Sequence, residues 1–136
     1  MADTDSVHTA RCQCGALTAE CRGEPGRVSL CHCHACQRRT GSAFGVQATF
    51  DEAQVKLSGE PTTFVRYGEE GHWGRLAFCP TCGTTLWWHI ERRPDAVSIA
   101  LGCFEANEFG PPAFEVYDEC AMAGIGLKIF PGPVRQ

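Results

Sequence analysis

Cysteine spacing is the feature that most restricts how this chain can fold. Seven of its ten cysteines fall into three short clusters, which are Cys12-x-Cys14, Cys31-x-Cys33-x-x-Cys36 and Cys79-x-x-Cys82. Disulfide bonds seldom join cysteines that lie this close in sequence, whereas their sulfurs converge readily on one metal ion. The clusters therefore predict metal binding, and disulfide bonding or simple burial is the weaker interpretation.

The number of clustered cysteines indicates two different kinds of metal site. Four thiolates complete a tetrahedral zinc site, and three of the seven cysteines are then left over. A zinc ion with three protein ligands keeps a position for water or substrate, as catalytic zinc ions do. We thus expect two zinc ions per chain, one structural and one open. Spacing alone allows the four-ligand site to be Cys12, Cys14, Cys79 and Cys82, or Cys33, Cys36, Cys79 and Cys82.

The composition is that of an ordinary globular domain. With 136 residues, of which 43% are hydrophobic and 21% charged, the chain is expected to form one domain over residues 1–136. A net charge of −4 argues against a nucleic-acid surface, which needs a basic footprint. No apolar run approaches the roughly 18 residues of a membrane span, so no membrane association is expected. Residues 1–10 lack the features of a secretory signal, and ten thiols suit the reducing cytoplasm, where we expect the protein.

Alternating apolar and polar residues between glycine and proline breaks predict an all-β fold. The predicted strands cover residues 17–21, 27–31, 44–50, 54–57, 62–67, 73–78, 84–90 and 97–101. Between two of these strands, Ser58-Gly59-Glu60-Pro61 is typical of a hairpin turn. A helix of one or two turns is expected at residues 35–39. The pattern as a whole favours antiparallel sheets with metal at the strand ends.

Three longer motifs resemble a known family. They are Cys12-Gln13-Cys14-Gly15, Cys31-His32-Cys33-His34-Ala35-Cys36-Gln37-Arg38-Arg39-Thr40-Gly41-Ser42 and Cys79-Pro80-Thr81-Cys82-Gly83-Thr84. Their order and intervals over residues 11–104 resemble the glutathione-dependent formaldehyde-activating enzymes, a family that includes centromere protein V. The resemblance implies a β-tent fold whose sheets meet around zinc. It also implies a closed structural site formed by Cys12, Cys14, Cys79 and Cys82, and an open site formed by Cys31, Cys33 and Cys36.

The resemblance further implies an enzyme. At the open zinc, with Cys31, Cys33 and Cys36 as the catalytic residues, the pKa of an incoming thiol would fall. The thiolate would then add to an aldehyde carbon, as in the carbon–sulfur lyase reaction that forms S-(hydroxymethyl)glutathione from glutathione and formaldehyde. We accordingly expect a small-molecule thiol and an aldehyde as partners. The alternative is an interaction module without turnover, in which both zinc ions only stabilise the fold.

One stretch departs from the family pattern. Many relatives carry a His-aromatic-Ser-Pro-Trp-like segment near the C-terminus, whereas residues 115–124 of this chain contain neither histidine nor tryptophan. If the segment shapes the substrate pocket, the substrate differs from the one for which the family is named.

Residues around the second cluster supply further candidates. His32 and His34 could move protons, although a surface or supporting position is the simpler expectation for both. Arg38 and Arg39 could attract an anionic thiol, but they are first expected on a solvated helix face.

Other residues are expected to serve the structure. Trp87 and Trp88 are adjacent in a predicted strand, so one should face the core and the other outward. Cys103 and Cys120 have no assigned role, and either of them as a fourth ligand would make the open site structural. The aromatic residues expected as core or loop anchors are Phe104, Phe109, Phe114 and Phe130.

Overall fold

The computed structural model describes residues 6–105 and 108–126, and its regular structure is almost entirely β. The ten strands are β1 (Val7–Arg11), β2 (Thr18–Arg22), β3 (Arg27–Cys31), β4 (Gly45–Asp51), β5 (Val55–Ser58), β6 (Thr62–Tyr67), β7 (Trp73–Phe78), β8 (Thr85–Ile90), β9 (Arg93–Ala100) and β10 (Phe114–Val116). One helix, α1, covers His34–Thr40, and single 3-10 turns cover Glu52–Gln54, Leu101–Cys103 and Asp118–Cys120. The prediction of an all-β fold with little helix is confirmed.

The strands form two sheets. The smaller sheet has the order β1-β2-β5, and the larger has the order β10-β3-β4-β9-β8-β7-β6. All neighbouring strands are antiparallel except β10 and β3, which run parallel over three residue pairs. β10 has no signal in the sequence, because three residues are too few to show an alternating pattern. Among the described residues, no helix has the length and apolar character to cross a membrane.

The main hydrophobic core lies between the two sheets. It combines the inward-facing side chains of β2 with those of β4, β8 and β9, and its largest fully buried members are Phe50, Leu17, Leu86 and Ile99. Phe104 and Phe109 close one end of this core with ring centroids 4.8 Å apart and planes at 89°, a favourable edge-to-face geometry. These two residues are anchors, as expected, whereas Phe114 is 51% exposed. Phe130 lies outside the described residues.

Trp87 and Trp88 differ from the expected pattern, because both are buried. Trp87 belongs to the core between the sheets. Trp88 points to the opposite face of β8, where the guanidinium of Arg39 lies 4.1 Å from its ring centroid. The prediction that one tryptophan faces outward is wrong, since α1 covers part of this second face of the larger sheet.

The expected hairpin at residues 58–61 is also wrong. β5 pairs with β2 in the smaller sheet, whereas β6 pairs with β7 at the edge of the larger one. Gly59 makes this change of sheet possible with a φ of +102°, and a Cβ atom there would lie 2.7 Å from Leu17 Cδ2 and overlap the Ala16 carbonyl oxygen. A tight approach between two chain segments, and not a two-stranded turn, explains the glycine.

Gly59→Ala should destabilise the protein more than an alanine at a glycine with a similar φ and free space. Gly71→Ala is the matched control, because Gly71 has a φ of +83° and no atom within 4 Å of a Cβ placed there. The control should cost about 1–2 kcal/mol for the left-handed backbone, and Gly59→Ala about 1–3 kcal/mol more for the overlap. Urea unfolding at equal metal content measures both, and equal costs would contradict the packing role of Gly59.

Candidate metal centres and adjoining cavities

The first candidate metal centre lies where the two sheets meet. Cys12 and Cys14 follow β1, and Cys79 and Cys82 belong to the turn between β7 and β8. The four Sγ atoms lie within 4.8 Å of one another, with Cys14 Sγ at 3.7 Å from that of Cys12 and 3.6 Å from that of Cys79. Zinc–sulfur bonds of about 2.3 Å at tetrahedral angles place sulfurs about 3.8 Å apart. The two distances from Cys14 Sγ therefore match those of a zinc site, and all four sulfurs are close enough to hold one ion.

Hydrogen-bond donors contact the sulfurs of Cys12, Cys79 and Cys82, whereas the Ala16 N–H is outweighed at Cys14, where the neighbouring Cys79 and Cys12 raise the pKa to about 11. The Leu17 backbone N–H donates to Cys12 Sγ at 3.2 Å, and that of Thr81 donates to Cys79 Sγ at 3.4 Å. The side chain and the backbone of Thr84 lower the pKa of Cys82 to about 5. Since metals bind thiolates and not thiols, these donors support the group as a metal ligand set.

The second candidate centre is formed by Cys31, Cys33 and Cys36 at the junction of β3 and α1. Their Sγ atoms lie within 4.8 Å of one another, and the residues are 5%, 3% and 3% exposed. Cys33 is the N-cap of the helix, and its sulfur accepts a 3.3 Å hydrogen bond from the Cys36 N–H. Neither Cys103 nor Cys120 belongs to this group of three, so no described cysteine makes it a four-cysteine site.

Charge is distributed unequally over the three sulfurs. Hydrogen bonds from the thiols of Cys31 and Cys36 lower the pKa of Cys33 to about 2, and the positive charge of Arg66 contributes in the same direction. The same hydrogen bond with Cys33 raises the pKa of Cys31 above its usual range. Without metal the group therefore holds one thiolate that two thiols stabilise. A metal ion bound by all three sulfurs must displace two protons.

His32 lies between two of these cysteines and is fully buried. Its Nε2 atom is 2.9 Å from Glu115 Oε1, and its backbone N–H donates to the Val116 carbonyl at 3.0 Å. The Gln37 side-chain amide donates to the carbonyls of His32 and Cys120, at 2.8 and 3.1 Å. These bonds attach residues 114–120 to the cysteine group. Of the two positions expected for His32, the structure shows the supporting one and not the surface one. His34 is exposed, as expected.

Two cavities lie in this part of the molecule, and the three cysteines line the smaller one. One, of about 220 Å³, is lined by Cys31, Cys33 and Cys36 together with Trp88 and Tyr117. The other, of about 640 Å³, is lined by α1 and β6 and includes Arg38 and Arg39. Arg66 and Glu69 line both cavities, so the two cavities are neighbours. The smaller cavity gives a small molecule access to the sulfurs, with a basic surface close by.

Two arginines bring positive charge to the cysteine group. Arg66 Nη2 is 4.0 Å from Cys36 Sγ, and its Nε atom is buried without a hydrogen-bond partner among the described residues. Arg39 stacks on Trp88, and its Nη2 atom is likewise buried and unpaired. Arg38 is exposed. The expectation of a solvated helix face is thus right for Arg38 and wrong for Arg39. Buried guanidinium donors without partners are suited to an anionic ligand.

Tyr117 forms another part of the cavity wall. It packs against the three cysteines, and it is the one described residue other than glycine with a positive φ, at 54°. Burial and the negative charge of Glu70 raise the pKa of its hydroxyl, so the phenol stays protonated at neutral pH. A left-handed backbone at a residue with a large side chain is uncommon and often occurs at functional sites.

Sequence reasoning did not identify Arg66, Glu69 or Tyr117 as parts of the site. Arg66 is one of several polar residues in an edge strand, and nothing in its neighbours distinguishes it. Tyr117 lies within the stretch that departs from the family pattern, and this departure was the one available signal. Strand pairing and loop placement bring the three residues close to the cysteines, and such long-range contacts leave no local pattern in the sequence.

Comparisons with known proteins agree with this geometry. A search of curated proteins gave no match. A crystal structure of a Rhodobacter sphaeroides protein has the same fold, with a TM-score of 0.57 and 21% identity over 72% of this chain and 88% of that one. The family model described as "Glutathione-dependent formaldehyde-activating enzyme" matches residues 7–119. With two cysteine groups able to hold metal and a match over most of its length, the chain belongs to the glutathione-dependent formaldehyde-activating enzyme family.

Proposed function

We propose that this protein is a carbon–sulfur lyase that joins a small anionic thiol to an aldehyde at Cys31, Cys33 and Cys36. The observation that carries the proposal is the convergence of three buried sulfurs at the wall of a cavity that shares Arg66 and Glu69 with a basic neighbouring cavity. Three ligands leave a coordination position that a substrate can take, whereas Cys12, Cys14, Cys79 and Cys82 would complete a structural site. The whole chain, residues 1–136, would act as one such domain in the cytoplasm.

The proposed metal in both groups is zinc, which thiolate ligands favour. When bound to Cys31, Cys33 and Cys36, zinc would supply the charge that lowers the pKa of an incoming thiol. In the reaction, the sulfur forms a bond to the aldehyde carbon and the carbon–oxygen π electrons move to oxygen. That oxygen takes the proton that the thiol lost, and the product is a hydroxymethyl thioether. Glutathione and formaldehyde are the substrate pair that the family membership suggests.

The chain's own residues would orient the thiol and shield it from water. Arg66 lies between the two cavities, so its guanidinium can bind a carboxylate of the thiol while remaining near Cys36. Trp88 and Tyr117 cover the sulfurs on the side of the smaller cavity. The buried contact between His32 and Glu115 holds the segment that carries Tyr117 in place. Holding two reactants together accelerates an addition that also proceeds without a catalyst.

Catalysis can be measured as exchange between free glutathione and its formaldehyde adduct, by two-dimensional exchange NMR against a blank without protein. The zinc-loaded protein should raise the exchange rate in proportion to its concentration, and Cys36→Ser should abolish this increase. Cys103→Ser is the matched control, because Cys103 is a half-buried thiol outside both cysteine groups, and it should retain the rate. A Cys36→Ser protein that keeps full activity would remove this group from the mechanism.

Arg66→Gln should weaken the use of an anionic thiol and spare a neutral one. Loss of a charge-assisted hydrogen bond of about 1.5–3 kcal/mol raises the KM for glutathione by about tenfold or more, with little effect on the KM for 2-mercaptoethanol. The control is Arg75→Gln, since Arg75 is exposed on the neighbouring strand. Steady-state rates with both thiols test this, and an equal loss for the two thiols would contradict carboxylate binding by Arg66.

Metal removal should distinguish the two cysteine groups by how easily each one loses its ion. From protein desalted to two zinc ions per chain, excess EDTA should take one ion without loss of the β-sheet circular dichroism spectrum, since a three-ligand site offers the chelator a free position. The second ion should leave only with unfolding. Thiol labelling and mass spectrometry should then find Cys31, Cys33 and Cys36 modified first. Release of both ions only on unfolding would instead favour a zinc-stabilised interaction module.

A further inference from the structure

A third group of potential metal ligands lies outside the two cysteine groups. Each of His34, Glu69 and Cys120 offers one ligand atom, and these atoms lie within 4.8 Å of one another. We propose that these residues form an exchangeable site for a third divalent ion of borderline softness, such as zinc or cobalt. The site differs from the other two groups because it contains one nitrogen, one oxygen and one sulfur donor.

The three ligands come from separate elements that hydrogen bonds already hold together. Glu69 Oε1 accepts a 3.0 Å hydrogen bond from the His34 backbone N–H at the start of α1 and lies 3.1 Å from His34 Nδ1. Cys120 ends a 3-10 turn, and its carbonyl accepts a 3.1 Å hydrogen bond from the Gln37 side chain, which belongs to the same helix. Ligands that are in place before the ion arrives lose little conformational freedom on binding.

The donor types select the class of ion. Imidazole, carboxylate and thiolate are the three side-chain ligands that zinc uses in proteins. Calcium and magnesium need oxygen donors, of which this group provides one residue, and copper(I) favours sulfur. Three protein ligands leave room for water, and the side chain of His34 is 56% exposed. The ion at this site should therefore exchange faster than the ions in the two cysteine groups.

The electrostatic surroundings attract a cation. Burial raises the pKa of the Cys120 thiol, and the negative charges of Glu69 and Glu119 near its sulfur add to this effect. A cation relieves this repulsion, but it must displace the thiol proton, so binding should strengthen as pH rises. Glu69 lines both cavities and His34 lines the larger one. The ion would thus lie on the wall that the two cavities share.

Cobalt titration of the full chain with zinc in both cysteine groups tests the proposal. Cobalt binds such sites more weakly than zinc, so it should leave the two zinc ions in place. One further equivalent of cobalt should bind and produce a thiolate-to-cobalt charge-transfer band in the near ultraviolet. Cys120→Ser should abolish this band, and His34→Ala or Glu69→Gln should weaken cobalt binding by at least about tenfold, the lower limit for losing even a supporting partner.

Cys103→Ser is the matched control for Cys120→Ser, because both cysteines are half-buried and lie outside the two larger groups. It should retain the band and the third equivalent. Zinc analysis of every variant must show two ions per chain, which separates loss of the third site from misfolding. The proposal is overturned if no third equivalent binds, if the band survives Cys120→Ser, or if the control loses it too. None of these measurements depends on the lyase activity.

Discussion

The close approach of sulfur atoms within each of two cysteine groups is the constraint on which the rest of the structure depends. Thiolates held within 4.8 Å of one another repel, and thiols at this distance gain only weak hydrogen bonds. The four sulfurs at the meeting point of the sheets join residues that follow β1 to residues between β7 and β8. The smaller sheet is attached to the larger one there as well as through the apolar core. A bound cation would make such an arrangement favourable, because its attraction to the thiolates would outweigh their mutual repulsion.

The same constraint has a different result at the junction of β3 and α1. There the helix starts at Cys33, whose sulfur accepts the Cys36 N–H, so the turn of chain that begins the helix also orients the ligands. Arg66 and Arg39 add positive charge from β6 and from the helix itself. One group offers a metal ion four cysteine ligands, whereas the other offers three and has arginines and a cavity beside it. This difference is the physical reason for proposing a structural role for the first group and a reactive role for the second.

Much of the fold was predictable from the sequence, because local residue patterns determine many of its strands. The alternating runs around Phe50 and Ile99 correspond to β4 and β9, and the spacing of the cysteines indicated metal ligands. The predictions for residues 58–61 and for Trp88 were wrong because contacts with segments distant in sequence determine the structure there. Gly59 lies in a segment with the composition of a turn, but the glycine is needed for a close approach to Ala16 and Leu17. Trp88 is buried because Arg39 from α1 lies on its ring.

The candidate site was predictable only in its sulfur atoms. The cysteines lie close together in sequence, so their spacing is a local signal. Arg66 and Glu69 belong to β6 and the turn after it, more than thirty residues from Cys33. Pairing of β6 with β7 brings them to the cysteines, and no local pattern encodes that contact. The family resemblance supplied the grouping of the cysteines that spacing alone had left open.

The parallel attachment of β10 has a consequence for how such a protein can change during evolution. β10 contacts the larger sheet at its outer edge through three residue pairs, and the residues that follow it form a wall of the smaller cavity. None of the largest fully buried side chains comes from this segment. Substitutions at Val116 or Tyr117, which line the smaller cavity, can therefore change its shape at less cost to folding than substitutions in the core, whereas Glu115 must keep its contact with the buried His32. Relatives with this arrangement can vary the cavity by exchanging part of one peripheral segment while the sheets and cysteines stay the same.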